Sequence, residues 1–245
     1  MSVAAIVPAA GAGTRLGGTA RKPFVTLDGM PLLAHTFNAL QASSAVRWIV
    51  PVVRRGDQGK VAALMTRYRI TKACPPCIGG TSRAASVAKG FAAIPPEAQW
   101  VLIHDGARPC VNPKLIDEAV RAAKQYGAVA CGLPAALTVK DVDRDGTVQA
   151  TLNRERLWLA QTPQVFRRDW FAVALTHTNG SLAQFPDDAA IVESAGFTVR
   201  MIPGDPLNLK VTTKDDLLLA EAILKRRAAL SPTRRRSTRK QPMAA

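Results

Sequence analysis

Residues Val3 to Val7 form an unbroken apolar run, and a loop of small residues follows at once. A five-residue apolar run that ends in a small-residue loop reads as a strand buried on both faces, the signature of a parallel sheet. Ala9 to Gly13 are all small, and Gly17 and Gly18 extend the loop. Backbone N–H groups in such a loop can close on a phosphate, because no side chain stands in the way. Two cations, Arg15 and Lys22, lie inside or just beyond the loop. A strand end, a glycine-rich turn and fixed positive charge together make a site for a polyphosphate.

Two commoner phosphate loops do not fit. The dinucleotide fingerprint G-x-G-x-x-G is matched at Gly11 and Gly13, but its third position is Leu16, with Gly17 one residue late. The acidic residue expected about 20 residues further on would be Asp28, which sits in a Leu-Asp-Gly turn rather than at a strand end. A Walker A loop fails because no Gly-Lys-Ser/Thr is present. The stretch instead resembles the Ala-Gly-x-Gly-Thr-Arg-Leu…Lys-Pro signature of nucleotidyltransferases that activate sugar or polyol phosphates.

The chain continues as alternating helical and apolar segments. Pro31 opens a helix through Leu40, and Val46 to Val53 reads as a buried strand. Asp57 is placed to cap a helix to about Arg67, and Ile70 to Ala73 reads as a short strand. A second small-residue loop spans Gly79 to Ser86, with a helix starting near Ser82; its hydroxyls and N–H groups suit a base or a phosphate. Trp100 to Ile103 is a strand ending in His104-Asp105-Gly-Ala-Arg108-Pro109. A carboxylate just past a central strand lies where open α/β sheets bind ligands. Beside a triphosphate, Asp105 is the natural Mg²⁺ ligand, and Arg108 can grip a second phosphate bidentately. The competing reading pairs Asp105 with Arg108 as a surface ion pair. His104 reads as a packing residue.

Asn112-Pro113 starts a helix to about Tyr126, and Ala128 to Leu133 is another strand. Residues 138–151 alternate polar and apolar around Asp145-Gly146, a hairpin signal. A polar two-stranded arm rarely stands alone, so it is expected to pack on a second copy of the chain as a homodimer. Leu157-Trp158-Leu159 looks helical, and helices are expected over Arg168–His177 and Asp188–Ala195. Phe197 to Ile202 reads as a strand, and Leu207 to Thr212 as another strand end that carries Lys210. Thr213 and Asp216 make a capping box for a last helix to about Arg227. The expected fold is α/β: a single doubly wound, Rossmann-like, mostly parallel sheet with helices on both faces and an inserted β-hairpin arm. The domain spans 1–229, with the arm at about 137–152.

The net charge of +15 invites a nucleic-acid reading, but its location argues otherwise. Eight cations lie from Lys225 onward with no acidic residue, more than half of the excess. Residues 230–245 therefore read as a disordered basic tail, which lacks the aromatics that base stacking needs. The four cysteines include Cys74-x-x-Cys77, but Ile78-Gly79-Gly80 intervenes before the next helix, and His35, His104 and His177 offer no second zinc pair. Ordinary thiols are expected. No apolar run approaches the roughly 20 residues that span a bilayer, and Met1 to Ala10 has no basic start of a secretory signal. The expected setting is the cytoplasm.

Taken in order, Pro8-Ala-Ala-Gly-x-Gly-x-Arg15, Lys22, Gly79-Gly-x-x-Arg83-x-x-Ser86-Val, His104-Asp-x-Ala-Arg-Pro109, Thr138-x-Lys140, Arg154-x-x-Leu-Trp-x-x-x-Thr162-Pro-Gln and Asn208-x-Lys210-Val-Thr are similar to one family. That family is 2-C-methyl-D-erythritol 4-phosphate cytidylyltransferase, of the non-mevalonate isoprenoid pathway, and the resemblance covers about residues 3 to 227. It implies transfer of CMP from CTP to the polyol phosphate, with release of pyrophosphate. By that resemblance Pro8, Ala9, Ala10, Gly11 and Gly13 hold CTP together with Gly79, Gly80, Arg83 and Ser86. Asp105 binds Mg²⁺, while Arg108, Thr138, Arg154 and Thr162 hold the polyol phosphate. Arg15, Lys22 and Lys210 act at the CTP phosphates. The chain departs from the family at Thr81 and Ala85, at Pro186 and at Leu207, where acidic residues or threonine are usual. Rival readings are a cytidylyl- or uridylyltransferase of another polyol or sugar phosphate such as ribitol 5-phosphate, a nucleic-acid binder acting through the tail, and a nicotinamide oxidoreductase.

Overall fold

The computed structural model describes residues 2–11, 21–178 and 182–230. In chain order the elements are β1 (Val3–Pro8), a small hairpin of β2 (Thr26–Leu27) and β3 (Met30–Pro31), α1 (Leu32–Ala42), β4 (Val46–Val53), α2 (Gln58–Arg67), β5 (Cys77–Ile78) and α3 (Arg83–Ala92). There follow β6 (Trp100–Ile103), α4 (Pro113–Tyr126), β7 (Ala128–Pro134), the arm strands β8 (Val139–Val142) and β9 (Val148–Leu152), β10 (Trp158–Arg167), α5 (Arg168–His177), α6 (Asp188–Ser194), β11 (Arg200–Pro203) and α7 (Lys214–Leu230).

Seven strands make one sheet in the order β11-β7-β10-β6-β1-β4-β5. Every neighbouring pair is parallel except those of β10, which runs antiparallel to both β6 and β7. Alternation along β1 shows why a fully apolar strand is needed. Val3, Ala5 and Val7 face a core shared with α1, α2 and α4, through residues such as Phe37, Leu64 and Ile116. Ala4 and Ile6 face the opposite core, with Val87 of α3, Phe171 of α5 and Ile191 of α6. Both faces are covered, so both phases of the strand must be apolar. On the second face, a Cβ at Gly90 of α3 would come within 2.5 Å of Ile6 Cγ2 and 2.7 Å of Val52 Cγ2, so glycine lets the helix lie directly on the sheet. A third, smaller cluster of Leu27, Leu32, Cys110, Val211 and Ala220 seats α7.

Several sequence expectations need correction. Ile70–Ala73 is not a strand; Ile70 closes the end of α2, and Ala73 makes a single bridge to Ile49. The sheet edge is formed by β5 instead. Leu157-Trp158-Leu159 is not helical: after a turn at Arg154–Arg156, Trp158 opens the ten-residue β10. The polar Gln161-Thr162-Pro163-Gln164 disguised that strand, and there its register to β7 shifts between Ala160 and Gln164. The last strand begins at Arg200 rather than Phe197. Leu207–Thr212 pairs with no strand among the described residues; its backbone bonds to a neighbouring loop instead, with Val211 N–H donating to Ala107 O at 2.8 Å. Asp57 stands before α2, but its side chain makes no cap; the carboxylate meets Arg21 at 2.5 Å.

The expected arm is present as β8 and β9, paired from Val139↔Leu152 to Val142↔Val148 around Gly146 at φ +83°. The expected capping box is also present. Asp216 Oδ2 accepts from Thr213 N–H at 2.8 Å, and Asp216 N–H donates to Thr213 Oγ1 at 3.2 Å. The expected tail, 230–245, lies outside the described residues except for Leu230, which is the last residue of α7 rather than disordered.

Candidate functional site

A cleft of about 490 Å³ opens at the carboxyl ends of the parallel strands, the edge that binds ligands in open α/β sheets. The end of β1 contributes Pro8 to Gly11, the turn before α3 contributes Gly80 to Arg83, the loop after β6 contributes Asp105 to Ala107, and Lys22 and Lys210 close it with positive charge. Ser86 reaches it from the first turns of α3. Gly13 and Arg15 lie outside the described residues.

The cleft walls are fixed by backbone pairing. Ala9 N–H donates to Val52 O at 2.7 Å, Gly79 N–H to Val53 O at 2.8 Å, and Gly106 N–H to Pro8 O at 3.2 Å. The Ser86 hydroxyl accepts from Gly80 N–H at 3.0 Å and donates to Ser82 O at 2.8 Å, so it shapes the loop. Ser82 caps α3 by accepting from Ala85 N–H at 3.0 Å. A Cβ on Gly79 would fall 2.6 Å from Ala10 Cβ and 2.8 Å from Ser86 Oγ. The two small-residue loops therefore touch, and glycine is required where they do.

Asp105 is the electrostatic centre. It is 6% exposed, and its Oδ1 accepts from Arg83 Nε at 2.9 Å while Lys210 Nζ stands 2.8 Å from Oδ2. Burial would push its carboxyl up, but Arg83 and Lys210 outweigh burial and hold it well below the usual carboxylate range. Asp105 thus stays ionised. The Asp105–Arg108 pair of the competing reading is the longest contact, with Nε 3.9 Å from Oδ2, and it is buried rather than on the surface. Arg108 instead donates through Nη1 to Asn208 O at 2.7 Å, and burial pulls its guanidinium down.

Thr162 is buried behind Asp105. Its Oγ1 accepts from Asp105 N–H at 3.0 Å and lies 3.1 Å from His104 Nδ1. A hydroxyl that accepts from the amide is free to donate to Nδ1, which leaves Nε2–H for Arg108 O at 3.3 Å. Burial drives the His104 pKa down to about 4, so the ring is neutral and packed, as expected. Thr138 and Arg154 are exposed at the root of the arm and do not line the cleft. Arg154 Nη1 donates to Ala136 O at 2.5 Å.

Sequence reasoning missed two members. Asp188 is fully buried at the start of α6, with Oδ2 2.8 Å from Arg83 Nη2, so Arg83 bridges two carboxylates. That contact lacks hydrogen-bond alignment, and Asp188 Oδ1 has no hydrogen-bond partner among the described residues. Burial pushes the Asp188 carboxyl up, and Arg83 only partly opposes it. Asn208 is the other: its Nδ2 donates to Thr162 O at 2.7 Å while its own carbonyl holds Arg108. Cys74 and Cys77 are free thiols, half-buried, with pKa values raised by burial.

A sequence profile of 2-C-methyl-D-erythritol 4-phosphate cytidylyltransferase matches residues 3–226. The chain belongs to that family. A cytidylyltransferase of this name from Pelotomaculum thermopropionicum is 42% identical over 226 residues, 92% of this chain and 95% of that protein. The crystal structure of 4-diphosphocytidyl-2C-methyl-D-erythritol synthase from Anaerococcus prevotii superposes with a TM-score of 0.81 at 27% identity, covering 91% of this chain and 96% of its own. The Francisella tularensis 2-C-methyl-D-erythritol 4-phosphate cytidylyltransferase gives 0.75 at 29% identity, covering 91% and 100%. Cytidylyltransferase family membership makes the chain a nucleotidyltransferase, and it disposes of the oxidoreductase reading of this cleft; the nucleic-acid reading rests on the tail, which lies outside the described residues.

Proposed function

We propose that the chain carries out the reaction that names its family: CTP and 2-C-methyl-D-erythritol 4-phosphate give 4-diphosphocytidyl-2-C-methyl-D-erythritol and pyrophosphate. The observation that carries this reading is the cleft itself, where one ionised carboxylate is ringed by cations between two glycine-rich walls. A phosphate oxygen of the acceptor attacks the α-phosphorus of CTP, a new P–O bond forms, and the bond to pyrophosphate breaks. A phosphate monoester has its second pKa near 6, so it is largely ionised at neutral pH and needs no general base. The protein's task is in-line placement and neutralisation of charge on the phosphates.

Pro8 to Gly11 and Gly79–Gly80 supply a wall of small residues for the nucleotide, and Gly13 is assigned to the same role. Arg83 and Ser86 fix that wall's far side. Arg15, Lys22 and Lys210 would meet the triphosphate, while Arg108 and Thr162, buried off the cleft wall, would brace the acceptor side through Asn208 and Asp105. A divalent cation such as Mg²⁺ fits at Asp105, because an ionised carboxylate at the cleft, completed by substrate phosphates and water, is the usual way Mg²⁺ is held. Asp105 offers a single carboxylate there, so substrate phosphates and water would supply the rest of the cation's shell. The bound cation would neutralise phosphate charge.

The arm supports a homodimer. Val142, Val148 and Leu152 on it, and Leu137 and Leu159 at its root, are 41–82% exposed, apolar surface that a second copy would cover. Thr138 and Arg154 stand on that same root, so their part in holding an acceptor phosphate would be played in the other copy's cleft. No helix among the described residues is long and apolar enough to cross a membrane, and both substrates are soluble phosphates, which fits the cytoplasm.

The test is a pyrophosphate-release assay over CTP, UTP and ATP against 2-C-methyl-D-erythritol 4-phosphate and ribitol 5-phosphate. Release with CTP and the methylerythritol phosphate alone is expected. Faster release with ribitol 5-phosphate would overturn the acceptor assignment.

A further inference from the structure

Three segments meet behind the cleft: the loop after β6, the shifted stretch of β10, and the loop between β11 and α7. Asp205 joins the last two. Its carbonyl accepts from Gln161 Nε2 at 3.1 Å, and its N–H donates to Gln161 Oε1 at 3.3 Å. Its carboxylate is shared: Oδ1 accepts from Leu207 N–H at 2.8 Å, and Oδ2 accepts from Arg227 Nη2 at 3.2 Å. Asn208 N–H then returns to Asp205 O at 2.9 Å. Asp205 therefore sets the turn that leads into Asn208 and Lys210.

Arg227, near the end of α7, has a second contact. Its Nη1 donates to Cys110 O, two residues beyond Arg108. One guanidinium thus holds the loop bearing Asp105 and Arg108 with one nitrogen and the loop bearing Asn208 and Lys210 with another. It does not line the cleft. The planar fork makes this possible, since its donors are fixed relative to one another.

The geometry points to Arg227 as a positioning residue: it staples the two cationic loops so that Lys210 and Asp105 stay in register. This rests on the role given to Lys210 above. The test is a double-mutant cycle on purified full-length enzyme, reading kcat/KM for CTP together with the thermal midpoint. Arg227→Ala should lower kcat/KM about tenfold, and Arg227→Lys, which keeps a cation toward Asp205 but lacks the fork that also reaches Cys110 O, should restore only part of it. In a Lys210→Ala background, Arg227→Ala should cost less than about twofold, because the group it positions is gone. A role in folding alone would give the same loss in both backgrounds and no rescue by lysine, and that result overturns the inference. If Arg227→Ala does not fold, Asp205→Asn serves in the same cycle, since it keeps an acceptor for Leu207 N–H and weakens only the contact to Arg227. Full turnover of Lys210→Ala on its own would be a different failure, one that sinks the assignment of Lys210 and this inference with it.

Discussion

Replacing Arg83 with methionine should reveal how much of the native state rests on one shared cation. Arg83 reaches Asp105 at 2.9 Å and Asp188 at 2.8 Å, and its side chain is 28% exposed. Asp105 would keep Lys210 at 2.8 Å, so the loss concentrates on Asp188, which has no other ion pair among the described residues. Removing one member of a buried pair costs about 3–5 kcal/mol. The partial exposure of Arg83 points to the lower end, about 3 kcal/mol at neutral pH. The pH dependence has a definite sign. The Asp188 carboxyl is already raised by burial, and losing Arg83 raises it further. A raised carboxylate favours the native state below its unfolded pKa and loses that contribution as pH rises through the folded value. The deficit of Arg83→Met against the parent should therefore be larger at about pH 7.5 than at about pH 5.5, because the raised Asp188 carboxyl loses its stabilising contribution as pH rises. Urea unfolding followed by circular dichroism at both pH values measures it. An equal deficit at the two values would refute the idea that Arg83 stabilises mainly by neutralising Asp188.

Other predictions concern single groups. Lys22→Ala should lower kcat far more than it raises KM for CTP, as steady-state kinetics will show; unchanged turnover counts against its role. Gly90→Ala should cost about 1–3 kcal/mol by overpacking, because its methyl would meet Ile6 at 2.5 Å and Val52 at 2.7 Å; the denaturant midpoint reads this out. His104, with its pKa near 4 against 6.5 unfolded, makes stability fall as pH drops from about 6.5 to 4, a loss of about 3 kcal/mol that His104→Gln should remove from the unfolding profile. Val148→Asp on the arm should shift the protein toward monomer in light scattering, and an unchanged mass would argue that the arm does not join two copies.

Legibility in the sequence followed the strength of the local signal. β4, β6 and α4 were readable to the residue, because apolar runs ended at polar caps such as Asn112, whose side chain does accept from Lys114 N–H at 3.0 Å. The arm was readable because Asp145-Gly146 demands a turn. β10 was not, since Gln161 to Gln164 interrupt its pattern and their polar groups are satisfied only by partners distant in sequence. Thr162 answers to Asp105, Gln161 to Asp205 and Gln164 to Asp187. For the same reason the ring of charge around Asp105 was half visible. Its strand-end position marked it, as did the nearby glycine loops, but Asp188 lies 83 residues beyond it in the chain, and only folding reveals that Arg83 lies between them.

The register shift in β10 has an evolutionary side. Deleting two residues between Ala160 and Gln164 would let that strand zip evenly against β7, a gain in regular pairing. The same deletion would pull Gln161 and Thr162 away from the loops they brace. Selection for a sturdier sheet and selection for turnover thus pull in opposite directions at these few positions. A family that must keep the chemistry is expected to tolerate changes in the flanking apolar residues long before it tolerates a change of length here.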